Sequence, residues 1–455
     1  MTVARELAEF LTGVSASDLP AQTMDHAAMV IASTFASAAF GTTIQSAQIV
    51  RDLTKEQGGR PDASIWFDAG EKLPVAQVAR VNAMLSDAAA SDDSDLRNIV
   101  HAGTPLTAVS LAMAERLGAS GEDVLDAIVI GYEVAGRLSE PMTPGFRNRG
   151  FHGCLGAAMA AAGAGARMLR LNAEQMAQTI AITAVSIGGL ATAADTSVAR
   201  EYHAGLAAMH GVNAALAAQR GFKVEERILE AHQGFFEAFG GVNGDAAGKL
   251  ALAGLGESWD IVTDMAIKLV PGGHPYHSFA EAAAKAARAG GFSPDEIECI
   301  EVSRPGLTKL SGPMHPVDLI DMAHSPANFL AAGAADWGFG WVNASPGKIA
   351  DPVIHRLIDK VRVGPQPVEH AALYRQGATV TITATDGRFA RSTVLLPYGS
   401  GALGLDWADI DAKYRALMPA SGLGSAAIEA SLSALRGVRG ATDVSGLIGI
   451  LRAGG

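Results

Sequence analysis

The first 260 residues of the chain show helical periodicity almost throughout and very few strand signals. Ala and Gly are so frequent that neighbouring helices can approach one another closely. Start signals are clearest at Ser120, which is followed by acids in the first turn, and at the NAEQ sequence that begins with Asn172. The pattern predicts helices at residues 3–13, 21–40, 43–57, 74–90, 104–118, 120–138, 153–170, 173–189, 203–221 and 225–231.

The character of the sequence changes near residue 261, where β-branched residues mix with Pro and Gly. The clearest hairpin lies at residues 378–397, where alternating β-branched runs flank an Asp-Gly pair. A chain of 455 residues exceeds what one core usually holds, so two domains are expected. The predicted fold class is mainly α, with a large all-helical domain at 1–264, a smaller α/β lid domain at 265–400 and a helical tail at 401–455 that packs back on the helical domain.

The chain is acidic, with a formal net charge of -12. Nucleic acid and anionic membranes attract basic surfaces, so neither is an expected partner, although a local basic pocket can still bind an anionic substrate. Cys154 and Cys299 lie far apart in sequence, which excludes a disulfide framework and favours a reducing compartment. The N-terminus lacks the pattern of a secretory signal, and the longest weakly polar run, at 154–166, is too short to span a bilayer. We therefore expect a cytoplasmic protein.

Five of the twelve histidines lie in polar or glycine-punctuated breaks between apolar segments: His101, His152, His203, His274 and His277. A single His at such a place is more often a cap or a surface residue than a functional one. Five such histidines support a catalytic or binding role only if their side chains lie close together in the folded protein. Residues 240–249 are also glycine-rich, but they lack the features of a phosphate-binding loop and are expected to form an ordinary loop.

The segment SDDSDLRNIVH places Asp92, Asp93 and Ser94 shortly before His101. A carboxylate beside an imidazole can orient and polarise it, as the third member of a catalytic triad does. The alternative is a helix cap with a solvated turn. His152 lies beside two Gly at the start of a predicted helix, where the alternative is a packed loop residue.

The segment AREYHAGLAAMHG carries Arg200, Tyr202 and His203. Arg200 and His203 are three residues apart and share a helical face, so the guanidinium is a candidate clamp for a substrate carboxylate; the alternative is an ordinary polar face. His274 and His277 lie in a Gly/Pro turn at the domain junction, where pockets often form. No metal is expected, because these two lack a carboxylate at ligand spacing and no HExxH or CxxC motif occurs.

In their order and spacing, these segments resemble the MmgE/PrpD family, which includes 2-methylcitrate dehydratase, cis-aconitate decarboxylase and iminodisuccinate epimerase. The resemblance is carried along nearly the whole chain by Asp92-Asp93-Ser94 with His101, by GFHGCLGAA with His152, by AREYHAGLAA with Arg200 and His203, and by Pro271 with His277. It implies a large helical domain with an α/β lid, a homodimer, no metal or organic cofactor, and a small di- or tricarboxylate as substrate.

The resemblance also implies a mechanism in which a proton α to a carboxylate is abstracted, with dehydration or decarboxylation as the outcome. We expect His101 and His152 to be the acid/base pair, with Asp93, or else Asp92, orienting one imidazole. Substrate binding is expected to involve Ser94, Arg200, His203, His274 and His277. The alternatives are an epimerase of a dicarboxylate such as iminodisuccinate and a non-catalytic carboxylate-binding relative.

The chain departs from the family pattern at several positions. Ala90 replaces an acid, and Arg200 and Glu201 replace the Lys-Pro of the third motif. Arg is a poor proton donor because its pKa is very high, so an acid role of that Lys would pass to another group, for which Tyr202 is the candidate. The spacing of the acids to His101 is most similar to the epimerase branch, and the changes argue against 2-methylcitrate as the substrate.

Overall fold

The structure is a computed structural model that describes residues 1–452, apart from the side chains of Asp195 and Thr196. The chain forms two compact units. The first combines residues 1–267 with the residues from 405 onward, and the second is the continuous segment 268–404. The first unit is therefore interrupted in sequence by the second.

The first unit is built almost wholly from helices, in agreement with the periodicity of the sequence. Up to residue 267 its elements are α1 Val3–Gly13, α2 Ala21–Gly41, α3 Gln45–Gln57, α4 Val75–Ala88, β1 Asp93–Asp95, α5 Gly103–Leu117, α6 Gly121–Ser139, α7 Gly145–Asn148, α8 Cys154–Met168, α9 Ala173–Ala184, α10 Ala191–Thr196, α11 Ala199–Gln219, α12 Gly244–Ala251, α13 Asp260–Thr263 and β2 Met265–Ile267.

The helix starts read from the sequence are confirmed at both capping sites. Ser120 and Asp123 form a reciprocal capping box that starts α6, and Asn172 and Gln175 form another that starts α9. Three other predictions in this region are wrong. The helix expected to run to residue 189 ends at Ala184, residues 225–231 contain only a short 3-10 turn, and the expected loop at 240–249 contains the start of α12, which Asn243 caps.

Small residues hold the central helices close together, as the composition suggested. A Cβ atom built on Gly131 of α6 would lie 2.7 Å from the carbonyl oxygen of Ala160 in α8. A Cβ atom on Gly211 of α11 would lie 2.4 Å from the Cβ of Ala161. Contacts this short leave no room for a larger side chain, so α8 is enclosed between α6 and α11 at backbone distance.

The second unit packs helices against one four-stranded sheet. Its elements are α14 His274–Gly290, β3 Ile297–Ser303, α15 Leu319–Ala323, α16 Pro326–Asp336, α17 Pro346–Ile349, α18 Pro352–Ile358, β4 Val361–Val363, β5 Ala378–Ala384 and β6 Phe389–Val394. The strand order is β4-β3-β5-β6, in which β3 and β4 are parallel and the other pairs are antiparallel. The predicted hairpin is confirmed as β5–β6, and the mainly α fold class with a smaller α/β part is also confirmed.

The helices after residue 404 return to the first unit. They are α19 Trp407–Leu417, α20 Ser425–Arg436 and α21 Ser445–Arg452, and α19 packs on α2. The sequence placed residues 265–267 in the lid, whereas β2 belongs to the first unit because it pairs with β1. Within residues 1–452 no single helix has both the length and the apolar composition to cross a membrane; α2 and α3 pass such a test only as a pair bent by 93°.

Candidate active site

The acidic segment after α4 forms strand β1 and then reverses direction. The reversal has a left-handed backbone at Ile99, with φ 56°. The amide of Ile99 donates to the carbonyl oxygen of Asp95 at 2.8 Å, and the amide of Asp95 donates to that of Val100 at 2.9 Å. This turn brings His101 back beside Ser94, seven residues earlier in the chain.

The imidazole of His101 is fixed through its Nδ1 atom. Nδ1 lies 2.7 Å from the backbone carbonyl oxygen of Asp93, 2.7 Å from Oδ2 of Asp92 and 3.2 Å from Oγ of Ser94. A carbonyl and an ionised carboxylate only accept hydrogen bonds, so Nδ1 must carry the proton. The neutral ring then presents the lone pair of Nε2, which is the form a general base requires.

The carboxylate of Asp93 points away from His101. Its Oδ2 accepts from the hydroxyl of Tyr132 at 2.9 Å and its Oδ1 from the amide of Gly103 at 2.9 Å. Burial, together with the nearby charge of Asp92, raises its pKa to about 6. The preference for Asp93 as the orienting carboxylate was therefore wrong, because successive side chains of an extended chain point to opposite sides and Asp92 faces the ring.

A second charged cluster anchors the turn, and the sequence reasoning assigned no role to it. The guanidinium of Arg97 contacts three carboxylates, with Glu140 at 2.7 Å, Asp264 at 3.1 Å and Asp260 closer still. Burial raises the pKa of Asp95, in the same turn, to about 6. An Arg inside an acidic run was the available signal, since a buried guanidinium requires nearby carboxylates.

His152 lies between two other imidazoles. Its ring centroid is 6.3 Å from that of His101 and 5.5 Å from that of His203. Burial, and then repulsion by the charged forms of these two rings and by Arg200, lower the pKa of His152 well below its usual value. Its Nδ1 accepts a long hydrogen bond, 3.3 Å, from the amide of Cys154, so the neutral ring carries its proton on Nε2. We call His101, His152 and His203 the imidazole row.

Arg200 is paired with a carboxylate of the protein itself. Its Nε donates to Oδ2 of Asp87 at 2.8 Å, and its Nη2 donates to the backbone carbonyl of the same residue. Burial works against the charge, but Asp87 and Asp92 raise the pKa of Arg200 above its usual value. Two of the five N–H donors of this guanidinium therefore already bind Asp87, so the expected bidentate clamp has a protein ligand on one side.

His203 lines a cavity of about 370 Å³ together with Cys154, Tyr202 and His210. Its Nδ1 atom is buried and has no hydrogen-bond partner within the described part of the chain. Burial lowers the pKa of this ring. Tyr202 lines the same cavity, and its ring centroid lies 5.2 Å from the guanidinium carbon of Arg80. Its role as an acid stays a prediction.

The other two histidines belong to the second unit. His274 and His277 are both buried at the start of α14, with ring centroids 4.6 Å apart, and Nε2 of His277 donates to the carbonyl of Gly272 at 3.2 Å. Arg304 secures this helix start by donating to Oγ of Ser278 at 3.0 Å. That the pair shares a site with the imidazole row stays a prediction.

The helical tail supplies a buried cation that sequence reasoning missed. Lys413 of α19 is 1% exposed. Its ammonium donates to Oγ of Ser33 at 2.7 Å and to the backbone carbonyl of Ser91, directly before Asp92. A Lys on an otherwise amphipathic helix gave no signal of burial, since only the packing of α19 on α2 brings it to this place.

Cys154 stands at no metal-ligand spacing in the sequence, yet the fold places it among possible ligands. Donor atoms of His152, Cys154 and His203 all lie within 4.8 Å of one another. This is the one group of three or more such residues found among the described residues.

Models of known protein families match most of the chain. The MmgE/PrpD N-terminal domain matches residues 5–245, and the MmgE/PrpD C-terminal domain matches residues 271–432. The chain belongs to the MmgE/PrpD family. The C-terminal family segment extends beyond the second unit into α19 and α20, so the MmgE/PrpD segments and the compact units do not share a boundary.

Curated MmgE/PrpD relatives match over most of their length. Cis-aconitate decarboxylase of Homo sapiens is 25% identical over 431 residues, which cover 91% of this chain and 87% of the human protein. The enzyme of the same name in Mus musculus is 25% identical over 392 residues, covering 83% and 78%. The cis-aconitate decarboxylase-like protein oryM of Aspergillus oryzae is 24% identical over 426 residues, covering 87% and 86%.

Proposed function

We propose that this chain is an MmgE/PrpD-type lyase that decarboxylates or dehydrates a small tricarboxylate without a cofactor, with decarboxylation of cis-aconitate as the first reaction to test. The observation that carries the proposal is the imidazole row, in which one ring is fixed as a base and the next as a hydrogen-bond donor. The names of the relatives favour decarboxylation over dehydration.

His101 is the proposed base. Its Nδ1 proton is held by the carbonyl of Asp93 and the charge of Asp92, so the lone pair of Nε2 is available to take a proton. The ion that then forms is stabilised by Asp92 at 2.7 Å, much as the buried acid of a catalytic triad stabilises its imidazolium.

His152 is the proposed donor. Its lowered pKa keeps it neutral at neutral pH, and its Nε2 proton can stabilise negative charge that develops on a substrate carboxylate. In decarboxylation the bond to the leaving carboxylate breaks, CO2 departs, and the electron pair stays on carbon until His101, protonated beforehand from solvent, delivers a proton to it. In dehydration His101 takes the α proton, His152 stabilises the leaving oxygen by a hydrogen bond from Nε2, and solvent supplies the proton with which that oxygen departs as water.

The decisive assay measures CO2 release from cis-aconitate by the purified protein. His101→Ala and His152→Ala should each lower turnover by at least about 100-fold, which is the usual contribution of a general acid or base. The matched control is His232→Ala, because His232 is exposed and lies outside the row. If both row variants keep full activity while folding normally, the assignment is wrong.

Epimerisation is the second candidate, because it also needs two acid/base groups and the row supplies adjacent imidazoles. The same protein incubated with dicarboxylates in deuterated water distinguishes the cases. Exchange of an α proton without CO2 release or water loss indicates epimerisation, whereas binding without any exchange indicates a non-catalytic relative. The homodimer expected from the family resemblance is tested by light scattering on the same sample.

A further inference from the structure

Cys154 takes no part in the proposed mechanism, yet its thiol lies close to donor atoms of two members of the imidazole row. It is the first residue of α8, two positions after His152, and α11 brings His203 alongside because α8 and α11 pack at backbone distance. Imidazole and thiolate are both zinc ligands, and zinc sites with three protein ligands keep one coordination position open.

Two observations show that the donor atoms of Cys154 and His203 make no strong hydrogen bonds among the described residues. The thiol of Cys154 donates to the carbonyl of Gly188 at 3.3 Å, which is a weak interaction for sulfur. The Nδ1 atom of His203 is buried and unpartnered among the described residues, and a buried polar atom without a partner is costly. A cation placed among the three residues would satisfy that nitrogen.

The three donor atoms must move closer together to coordinate an ion. Donor atoms within 4.8 Å of one another must close to roughly 3.5 Å, the edge of a tetrahedron with bonds of about 2.0–2.3 Å. The open position would face the cavity of about 370 Å³ that Cys154 and His203 line, where water or a substrate carboxylate could complete the coordination.

We propose that His152, Cys154 and His203 form a binding site for a thiophilic divalent cation of the Zn²⁺ and Cd²⁺ class, and that binding of the ion stops turnover. Binding converts the thiol to a bound thiolate and releases its proton to solvent, with no change of oxidation state. Burial raises the pKa of the thiol to about 12, so the unliganded site holds a neutral thiol that the ion must deprotonate. Inhibition rests on the proposed function, since coordination would hold the ring of His152, the proposed donor, at the ion and away from the substrate.

The direct test is titration of the full chain with Cd²⁺, followed by the thiolate-to-cadmium charge-transfer absorption. We expect one equivalent to produce the band in the wild type. Cys154→Ser should abolish the band. His203→Gln should weaken Cd²⁺ binding, and it serves as the test if Cys154→Ser folds poorly. The matched control is Cys299→Ser, because Cys299 is the other free thiol and lies on β3 of the second unit.

The outcomes separate the two proposals. A band that is absent from the wild type, or that survives in Cys154→Ser, overturns the metal site. A band that depends on Cys154 supports the site whether or not the protein decarboxylates anything, because it needs no substrate. Where turnover is measurable, Cd²⁺ should inhibit the wild type and Cys299→Ser alike, and equal inhibition of Cys154→Ser would overturn the inhibitory role.

Discussion

Asp93→Asn measures the free-energy cost of burying an ionised carboxylate beside the imidazole row. Asp93 is 2% exposed, and its pKa is raised to about 6 in the folded protein. Asn keeps an oxygen that can accept from the amide of Gly103 but carries no charge. The variant therefore removes the titration while retaining the main hydrogen bond at this position.

The sign of the pH dependence of stability follows from the linkage between proton binding by Asp93 and folding. Because the folded pKa lies above the unfolded value of about 3.9, the contribution of Asp93 to stability is fully present below that value and is lost as pH rises through about 6. A difference of about two pKa units corresponds to about 3 kcal/mol, of which about 2 kcal/mol develops between pH ~4 and ~7. The unfolding free energy of Asp93→Asn minus that of the wild type should rise by that amount over this interval.

The assay is urea unfolding followed by circular dichroism, on both proteins, at several pH values. Tyr132→Phe provides a second variant, because its lost hydroxyl donates to Oδ2 of Asp93 and favours the ionised form. Its removal should move the pH dependence to higher pH. A difference between Asp93→Asn and wild type that stays constant from acid to neutral pH would refute the reasoning, since Asp93 would then have the same proton affinity in both states.

Three further predictions use contacts described above. Asp92→Asn should lower kcat by about 100-fold or more with a smaller change in KM, because the His101 ring loses the charge that stabilises its protonated form; steady-state kinetics on the confirmed substrate checks this. Lys413→Met should lower the unfolding free energy by about 1–3 kcal/mol, measured by urea unfolding, because it leaves the Ser91 carbonyl without this donor. Gly131→Val should destabilise by about 1–3 kcal/mol in the same assay through overpacking against α8, whereas Gly13→Ala, where nothing lies within 4 Å of the added atom, should stay within about 1 kcal/mol of the wild type.

Local signals in the sequence were sufficient for most of the secondary structure. Ser120 and Asn172 started helices because their side chains cap the following amides, and the Asp-Gly pair at residues 386–387 closed a hairpin. Strand β1 was missed because a three-residue strand of Asp and Ser, buried throughout, has no apolar alternation to detect.

The candidate site was predictable as a set of residues but not as a set of contacts. His101, His152 and His203 were singled out from their surroundings, and they do lie in one row. Which acid faces His101 depends on the direction of side chains along β1, and the partner of Arg200 depends on the packing of α11 against α4. Both are consequences of tertiary structure, which no local pattern encodes.

The link between Lys413 and Ser91 has a consequence for biosynthesis. The ribosome makes the segment that holds Ser91 early, then all of the second unit, and only afterwards α19 with Lys413. Domains tend to fold as units while the chain emerges, so we expect residues 268–404 to reach their native state before the first unit is complete. A nascent chain that stalls before α19 would carry every histidine of the row and still lack the ammonium beneath its acidic strand.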